Sequence, residues 1–286
     1  IENITSEGSA DLTIYDTIGT NEITTNSGSD IIHSKGGNDV INTAAGNDTV
    51  YLGSGQYTID LGAGDDVVYL TTSASIIEGN TGTDEAIVRA FDGFVDVYID
   101  LKFSTYFVPS KLTAQDGMDV SLQNFEKVTI DGNVAATILG TAAADTLVGD
   151  AGADTITGRG GADTLTGGSR SDKFVFTTGD TGITLDTADT ITDFSTGNDK
   201  IDIATVGSYV EADGSGNANI AAFITDADAS LPTTSIDIYA EYNFKGEGDT
   251  LVVIDEDKSG SVDAGDTLII LTGLSTADGL DAADFI

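Results

Sequence analysis

The chain has 286 residues, enough for one large or two ordinary domains with a buried core. Its 48 Asp and Glu against 11 Lys and Arg give a net charge of -37, which excludes nucleic acid as a default partner and disfavours an anionic membrane surface. Repulsion on that scale opposes compaction unless divalent cations neutralise it, so folding is expected to depend on metal. With no cysteine and one histidine, disulfides, thiolate chemistry and His-based zinc or iron sites are excluded. No nucleophile elbow, Walker loop or dinucleotide fingerprint occurs, so no catalytic constellation is read and the chain is not expected to be an enzyme by itself. The lone His33 is expected at an exposed repeat position. No apolar run reaches the roughly 18 residues of a membrane span, and residues 1–10 lack a signal-peptide pattern. The first residue is Ile, not Met, which leaves room for preceding sequence.

From the N-terminal side the chain repeats every nine residues. Asp30, Asp39, Asp48, Asp66 and Asp84 share one nine-residue phase, interrupted only by Tyr57 and Ser75. Acids at five of seven such positions compare with about one by chance. Two residues before each aspartate stands Gly28, Gly37, Gly46, Gly64 or Gly82. Two residues after each phase position run Ile32, Ile41, Val50, Ile59, Val68, Ile77 and Ala86. Each unit is therefore a tight glycine turn closed by Asp, then a short strand with one inward aliphatic.

Residues 88–135 break the phase. They hold Phe91, Phe94, Tyr98, Phe103, Tyr106 and Phe107, and the alternation in FVDVYIDL and KVTI indicates β-strands. The aromatics are expected to form a local core, with an exposed patch for glycan or partner binding as the alternative. The repeat resumes over 136–180, where Asp145, Asp154, Asp163 and Asp172 stand nine apart, followed by Leu147, Ile156, Leu165 and Phe174. Gly152 and Gly161 precede the middle two aspartates, whereas Ala143 and Arg170 precede the outer two.

Over 181–286 longer strands with period-two patterning lie between Gly, Asp and Asn turns, predicting a mainly antiparallel, sandwich-like cap on an otherwise open strand edge. Within it, DEDKSGSVDAGD follows an EF-hand-type loop pattern: Asp255, Asp257 and Ser259 at positions 1, 3 and 5, Gly260 at 6, the Ser261 carbonyl at 7, Asp263 at 9 and Asp266 at 12. Asp266 replaces the usual bidentate Glu, and strand-like flanks place the loop in a hairpin.

The nonapeptides GDAGADTIT, GRGGADTLT and GGSRSDKFV, with the earlier block, resemble the RTX family, whose GGxGxDxUx repeats wind a parallel β-roll around rows of Ca²⁺. The resemblance implies an all-β fold: a first roll over 1–87, the β-rich insert over 88–135, a second roll over 136–180 and the C-terminal cap over 181–286. Two nonapeptides make one winding, so turns 18 apart become neighbours about 4.8 Å apart. Calcium between them would take Asp carboxylates and the carbonyls of Gly28, Gly46, Gly64, Gly82, Gly152 and Gly161. Asp30, Asp48, Asp66 and Asp84 line one edge and are expected to hold about three ions. The opposite edge, Asp39, Tyr57 and Ser75, should be largely free of metal. In the second roll Asp145 pairs with Asp163 and Asp154 with Asp172, at least one ion on each edge.

The segment KFVF…ADTITDFSTGNDKIDI is similar to the C-terminal region of serralysin-type and other RTX exoproteins, and GLDAADFI to the ends of type I secretion substrates. Together these imply a calcium-binding region of a secreted Gram-negative surface protein of S-layer or adhesin type. Its partners would be the type I secretion apparatus and then a second copy or a surface polysaccharide, with no membrane insertion. The alternative is the targeting module of a secreted RTX protease, lipase or polysaccharide-modifying enzyme.

Overall fold

A computed structural model of the chain describes residues 3–71, 75–89, 96–101, 120–203, 207–213, 217, 219–231, 237–274 and 279–286. It divides into two compact units, residues 1–138 and 139–286.

In the first unit short strands alternate between two parallel sheets. One contains Asn3–Thr5, Glu22–Thr24, Gly36–Asn42, Ser54–Asp60, Ser75–Glu78 and Val120–Gln123; the other contains Thr13–Tyr15, Ile31–His33, Thr49–Tyr51, Val67–Leu70, Glu85–Arg89 and Lys127–Asp131. The register is 18 residues per coil, so Ile32 faces Val50 and Val50 faces Val68, while Ile41, Ile59 and Ile77 align in the other sheet. Because strand side chains alternate, each three-residue strand sends one side chain inward. Ile23, Ile32, Ile41, Val50, Ile59, Val68, Ile77 and Ala86 are at most 1% exposed and form the core, a parallel β-roll.

The roll is longer than its aspartate phase. Two nonapeptide units precede Asp30, with Leu12 and Asn21 standing where the repeat places Asp. Beyond residue 87, Val120–Gln123 pairs with Ser75–Glu78 and Lys127–Asp131 with Glu85–Arg89. Leu122, Val128 and Ile130 continue the buried ladder. The segment read as a separate insert thus returns to add a coil, because its last strands keep the inward aliphatic spacing although the count of nine is lost. Phe91, Phe94, Phe103, Tyr106 and Phe107, and the side chain of Tyr98, lie outside the described residues. His33 is half-buried, not exposed: its ring stacks between Tyr15 and Tyr51 at centroid distances of 4.5 and 4.7 Å, and Tyr51 stacks on Tyr69. An 18-residue register aligns these outward positions and makes the stack.

In the second unit Thr146–Val148, Thr164–Thr166 and Asp189–Ile191 stack in parallel, as do Thr155–Thr157, Lys173–Val175 and Lys200–Asp202. Leu147, Ile156, Leu165, Phe174, Ile191 and Ile201 are fully buried inside. This roll also runs past its expected end at 180, since the last coil accommodates extra turn residues while its strands keep register.

Among the described residues the cap is a single sheet and not a sandwich. Thr267–Leu271 lies parallel to Asp189–Ile191 and antiparallel to Asp249–Asp255, which is antiparallel to Asp237–Phe244; Tyr209–Asp213 adds a parallel edge. The cap sheet is therefore an extension of a roll sheet. In place of a second sheet, the α-helix Ile220–Ser230 packs Phe223 and Ala227, together with Leu231, against Ala188, Tyr239, Phe244, Leu251, Val253 and Leu268. Asn219 caps that helix by accepting from the Ala222 N–H. Ile220, Phe223, Ile224 and Ala227 have the 3–4 spacing of an apolar helical stripe. No helix among the described residues is long and apolar enough to cross a membrane.

The terminal residues cover the edge of Lys200–Asp202: Ile203 N donates to Ile286 O and Ile286 N to Ile201 O, each at 3.0 Å. Asp284, 1% exposed, accepts from Gly197 N at 2.9 Å and from Lys200 Nζ at 3.0 Å. Lys200→Met leaves that carboxylate one donor short and is expected to lower stability by about 1–3 kcal/mol, read from thermal denaturation in saturating calcium.

Candidate metal centres

Each phase aspartate occupies the same place in its turn. In the first roll Leu12 N donates to Asp30 Oδ1 (2.7 Å), Asp30 N to Asp48 Oδ1 (2.7 Å), Asp48 N to Asp66 Oδ1 (2.7 Å) and Asp66 N to Asp84 Oδ1 (2.9 Å). One carboxylate oxygen thus ties each coil to the coil before it. The four side chains form an unbroken buried row, each at most 1% exposed. Asp84 N then donates to Glu126 Oε2 at 2.9 Å, so Glu126 prolongs the row across a 42-residue step.

The other oxygen is different. Oδ2 of Asp48, Asp66 and Asp84 is buried without a hydrogen-bond partner. Burial without compensation disfavours the anion. It pushes Asp48 and Asp84 up to about 6 and Asp66 up to about 7, with Asp48 and Asp84 adding like-charge repulsion to Asp66, against the lowering effect of the cross-coil N–H bonds.

The glycines pack turn on turn. Gly46, Gly64 and Gly82 have φ between +120° and +148°, and a Cβ on them would stand 2.2, 1.9 and 1.9 Å from the carbonyl oxygens of Gly28, Gly46 and Gly64. Only glycine serves where a positive φ and such an approach coincide. On the opposite edge Asn21 N donates to Asp39 Oδ1 at 2.8 Å, but Tyr57 and Ser75 interrupt the carboxylates, with Tyr57 N donating to Ser75 Oγ at 3.3 Å.

The second roll carries a row on each edge. Asp145 N donates to Asp163 Oδ1 (2.8 Å) and Asp163 N to Asp189 Oδ1 (2.9 Å); Asp154 N donates to Asp172 Oδ1 (2.8 Å) and Asp172 N to Asp199 Oδ1 (2.9 Å). Oδ2 of Asp163, Asp172 and Asp189 is buried and unpartnered. Burial first, then neighbouring carboxylates, push Asp172 up to about 6, Asp163 to about 7 and Asp189 to about 8. Gly161 is left-handed at φ +120°, 2.5 Å from Ala143 O by its Cβ position, and Gly152 is buried in the preceding turn.

Here a further glycine, five residues before each aspartate, leaves room for the carboxylate. A Cβ at Gly140, Gly149, Gly158 or Gly167 would lie 2.1–2.7 Å from Oδ2 of Asp145, Asp154, Asp163 or Asp172. In the first roll the same positions are Thr25, Thr43, Leu61 and Gly79, and the Thr25 and Thr43 hydroxyls donate to the carbonyls of Thr43 and Leu61. The second roll therefore has the more open turns.

Glu126 and Asp189 fall outside the nine-residue count, and Asp199, although 27 residues after Asp172, is not a whole 18-residue coil from it, so none of the three was identified from sequence. Asp189 and Asp199 do carry a local signal: Asp189-Thr-Ile repeats Asp163-Thr-Leu, and Asp199-Lys-Ile repeats Asp172-Lys-Phe. Glu126 carries none in sequence.

The loop Asp255–Asp266 joins the antiparallel strands Asp249–Asp255 and Thr267–Leu271, a hairpin as its flanks indicate. Carboxylate oxygens of Asp255, Asp257 and Asp266 lie within 4.8 Å of one another. Asp255 accepts from Ser259 N and Gly260 N, Asp257 from Ser259 N, and Asp266 from Asp263 N and Glu256 N. Burial raises Asp255 and carries Asp266 up to about 6, whereas hydrogen bonds from Ser259 lower the exposed Asp257. Ser261 O accepts from Ser259 Oγ, and Asp263 Oδ1 from Gly265 N, so both face back into the loop.

The family model of the RTX calcium-binding nonapeptide repeat (4 copies) matches residues 24–59 and 139–173, within the two rolls. None of the curated proteins compared with the chain matches it. The chain thus carries RTX calcium-binding repeats folded as parallel β-rolls. Their buried, unpartnered carboxylate oxygens and close-packed turn carbonyls fit a hard divalent cation, which takes six to eight oxygen ligands when it is Ca²⁺.

Proposed function

We propose that the chain is a calcium-folded region of a type I secreted bacterial cell-surface protein, of S-layer or adhesin type, whose activity is binding and folding and not catalysis. The observation that carries this is the set of cross-coil carboxylate rows, in which Oδ1 is bonded to the backbone of the preceding coil while Oδ2 of Asp48, Asp66, Asp84, Asp163, Asp172 and Asp189 is buried with no hydrogen-bond partner. Calcium, when bound, supplies the positive charge and oxygen coordination that those carboxylates lack. Asp30, Asp48, Asp66, Asp84 and Glu126 would hold ions in the first roll. Asp145, Asp163 and Asp189, with Asp154, Asp172 and Asp199, would hold them in the second, and Asp255, Asp257 and Asp266 in the hairpin loop.

At the low free calcium of a cytosol the carboxylates repel one another and the chain stays unfolded and exportable. Outside the cell, sites of roughly 10⁻⁴ to 10⁻³ M affinity load, and their binding free energy becomes folding free energy. Export through a type I apparatus, delivery to a Gram-negative cell surface, and association there with a second copy or a surface polysaccharide complete the reading. The test is a calcium titration of the metal-stripped chain followed by far-ultraviolet circular dichroism. A coil-to-β transition at submillimolar to millimolar Ca²⁺ is expected, with no such transition in Mg²⁺, which dehydrates reluctantly and demands a tighter octahedral shell. A fully folded chain in chelator would overturn the proposal.

A further inference from the structure

The edge of the first roll that the carboxylate row leaves bare has a buried acid outside the repeat's aspartate phase. Asp16 opens the turn 16–21, at a position the aspartate-bearing units fill with Thr, Ser, Leu or Gly. It is 2% exposed. Its Oδ1 accepts from Lys35 N at 2.7 Å, which fixes the carboxyl group against the next turn, 34–39. From that turn Asp39, 1% exposed, reaches the other way and accepts from Asn21 N at 2.8 Å. The two reciprocal bonds bring both carboxylates between the same pair of stacked turns. Their mutual repulsion adds to the burial that raises Asp39 above the ordinary carboxylate range.

Two observations distinguish this place from an ordinary acidic pair. Asp16 Oδ2 is buried with no hydrogen-bond partner. Neutral oxygens also stand beside its partner carboxylate: Ser34 Oγ donates to Asp39 Oδ2 at 2.8 Å and lies 3.3 Å from the phenol oxygen of Tyr57, itself 2% exposed. A lone buried anion of this kind is costly unless a cation pairs with it.

We infer that the space between turns 16–21 and 34–39 is a further Ca²⁺ site, held by the carboxylates of Asp16 and Asp39, with Ser34 and Tyr57 closing it on the side where the row ends. It rests on the reading of the chain as a calcium binder, but it uses a carboxylate that the nonapeptide does not supply. Two buried carboxylates and neighbouring neutral oxygens favour Ca²⁺ over Mg²⁺, which keeps several waters. The bare edge would then begin with one ion and end at Tyr57.

Two measurements on the full chain test this. In native mass spectrometry at saturating calcium, Asp16→Asn is expected to carry one ion fewer than wild type. With Tb³⁺ as a hard-cation probe excited through tyrosine, Tyr57→Phe is expected to lose part of the sensitised emission while keeping the wild-type ion count, because Tyr57 is the phenol buried beside this site. An unchanged ion count in Asp16→Asn overturns the site; if that variant does not fold, unchanged emission in Tyr57→Phe overturns it. The wild-type calcium titration separates the two readings. No calcium-induced transition there sinks the proposed function, whereas a normal transition with an unaltered Asp16→Asn count sinks this site alone.

Discussion

In chelator the chain is expected to become more folded as pH is lowered from about 8 to about 5, and in saturating calcium the slope should reverse. The sign follows from the buried carboxylates. Burial holds Asp48, Asp84 and Asp172 at about 6, Asp66 and Asp163 at about 7 and Asp189 at about 8, against an ordinary value of 3.8. A group whose value is raised in the folded state binds its proton more tightly there. Its contribution is complete below the unfolded value and is lost as pH rises through the folded one. Metal-free stability should therefore fall from about pH 4 upward and level off near pH 8, as each group passes from its unfolded to its folded value.

With calcium bound the same carboxylates are held ionised, so their folded values drop below the unfolded ones. Stability is then present above about pH 4 and is lost as pH falls, because protons compete with the ion. Denaturation midpoints measured across this range with and without calcium should cross. Parallel slopes in the two conditions would show that the rows do not bind metal.

Asp163→Asn is expected to change sign in the same way at a single residue. The carboxamide keeps an oxygen to accept from Asp145 N, so the tie between coils survives. It removes a buried charge, and each unit of pKa displacement corresponds to about 1.4 kcal/mol. Relative to wild type at pH 7.5, the variant should be more stable in chelator, by an amount on the order of a few kcal/mol. In calcium it should be worse, with the midpoint of the folding titration moved to about 10-fold or more higher concentration, because a charged ligand is gone from the middle of the row. The folded fraction in chelator and the calcium midpoint, both by circular dichroism, read the two halves. A variant that is destabilised equally in both conditions would make Asp163 a structural hydrogen-bond acceptor and nothing more.

The core was legible in sequence because the roll is nearly one-dimensional. With a coil of 18 residues, a single inward position per strand and a recurrent glycine in the turn, spacing alone identifies the ladder from Ile32 to Ala86 and the row from Asp30 to Asp84. Each contact lies one repeat away, so the phase of the repeat is already a contact map. The hairpin placement of Asp255–Asp266 was legible for a similar reason, since both loop pattern and flanking strands are local.

What escaped were the positions where the coil count changes and the strand register does not. Parallel pairing fixes which residues face one another but leaves the connecting chain free to lengthen. Glu126, Asp189 and Asp199 therefore complete rows across steps of 42, 26 and 27 residues, none of them a whole number of 18-residue coils. The helix Ile220–Ser230 was missed because strands on both sides dominate the local pattern, and its apolar stripe acquires a partner only once Tyr239, Phe244 and Leu251 are assembled beneath it.

By itself, then, the sequence determined the repeat, the ladder and the principal carboxylate rows, all consequences of interactions between neighbouring turns. Only the tertiary structure decided where the rolls begin and end, which out-of-phase acids join the rows, that the cap is a sheet under a helix, and that Asp16 meets Asp39. Each of these depends on backbone groups from separate coils meeting at hydrogen-bond distance, and spacing along the chain does not report that once the period is broken.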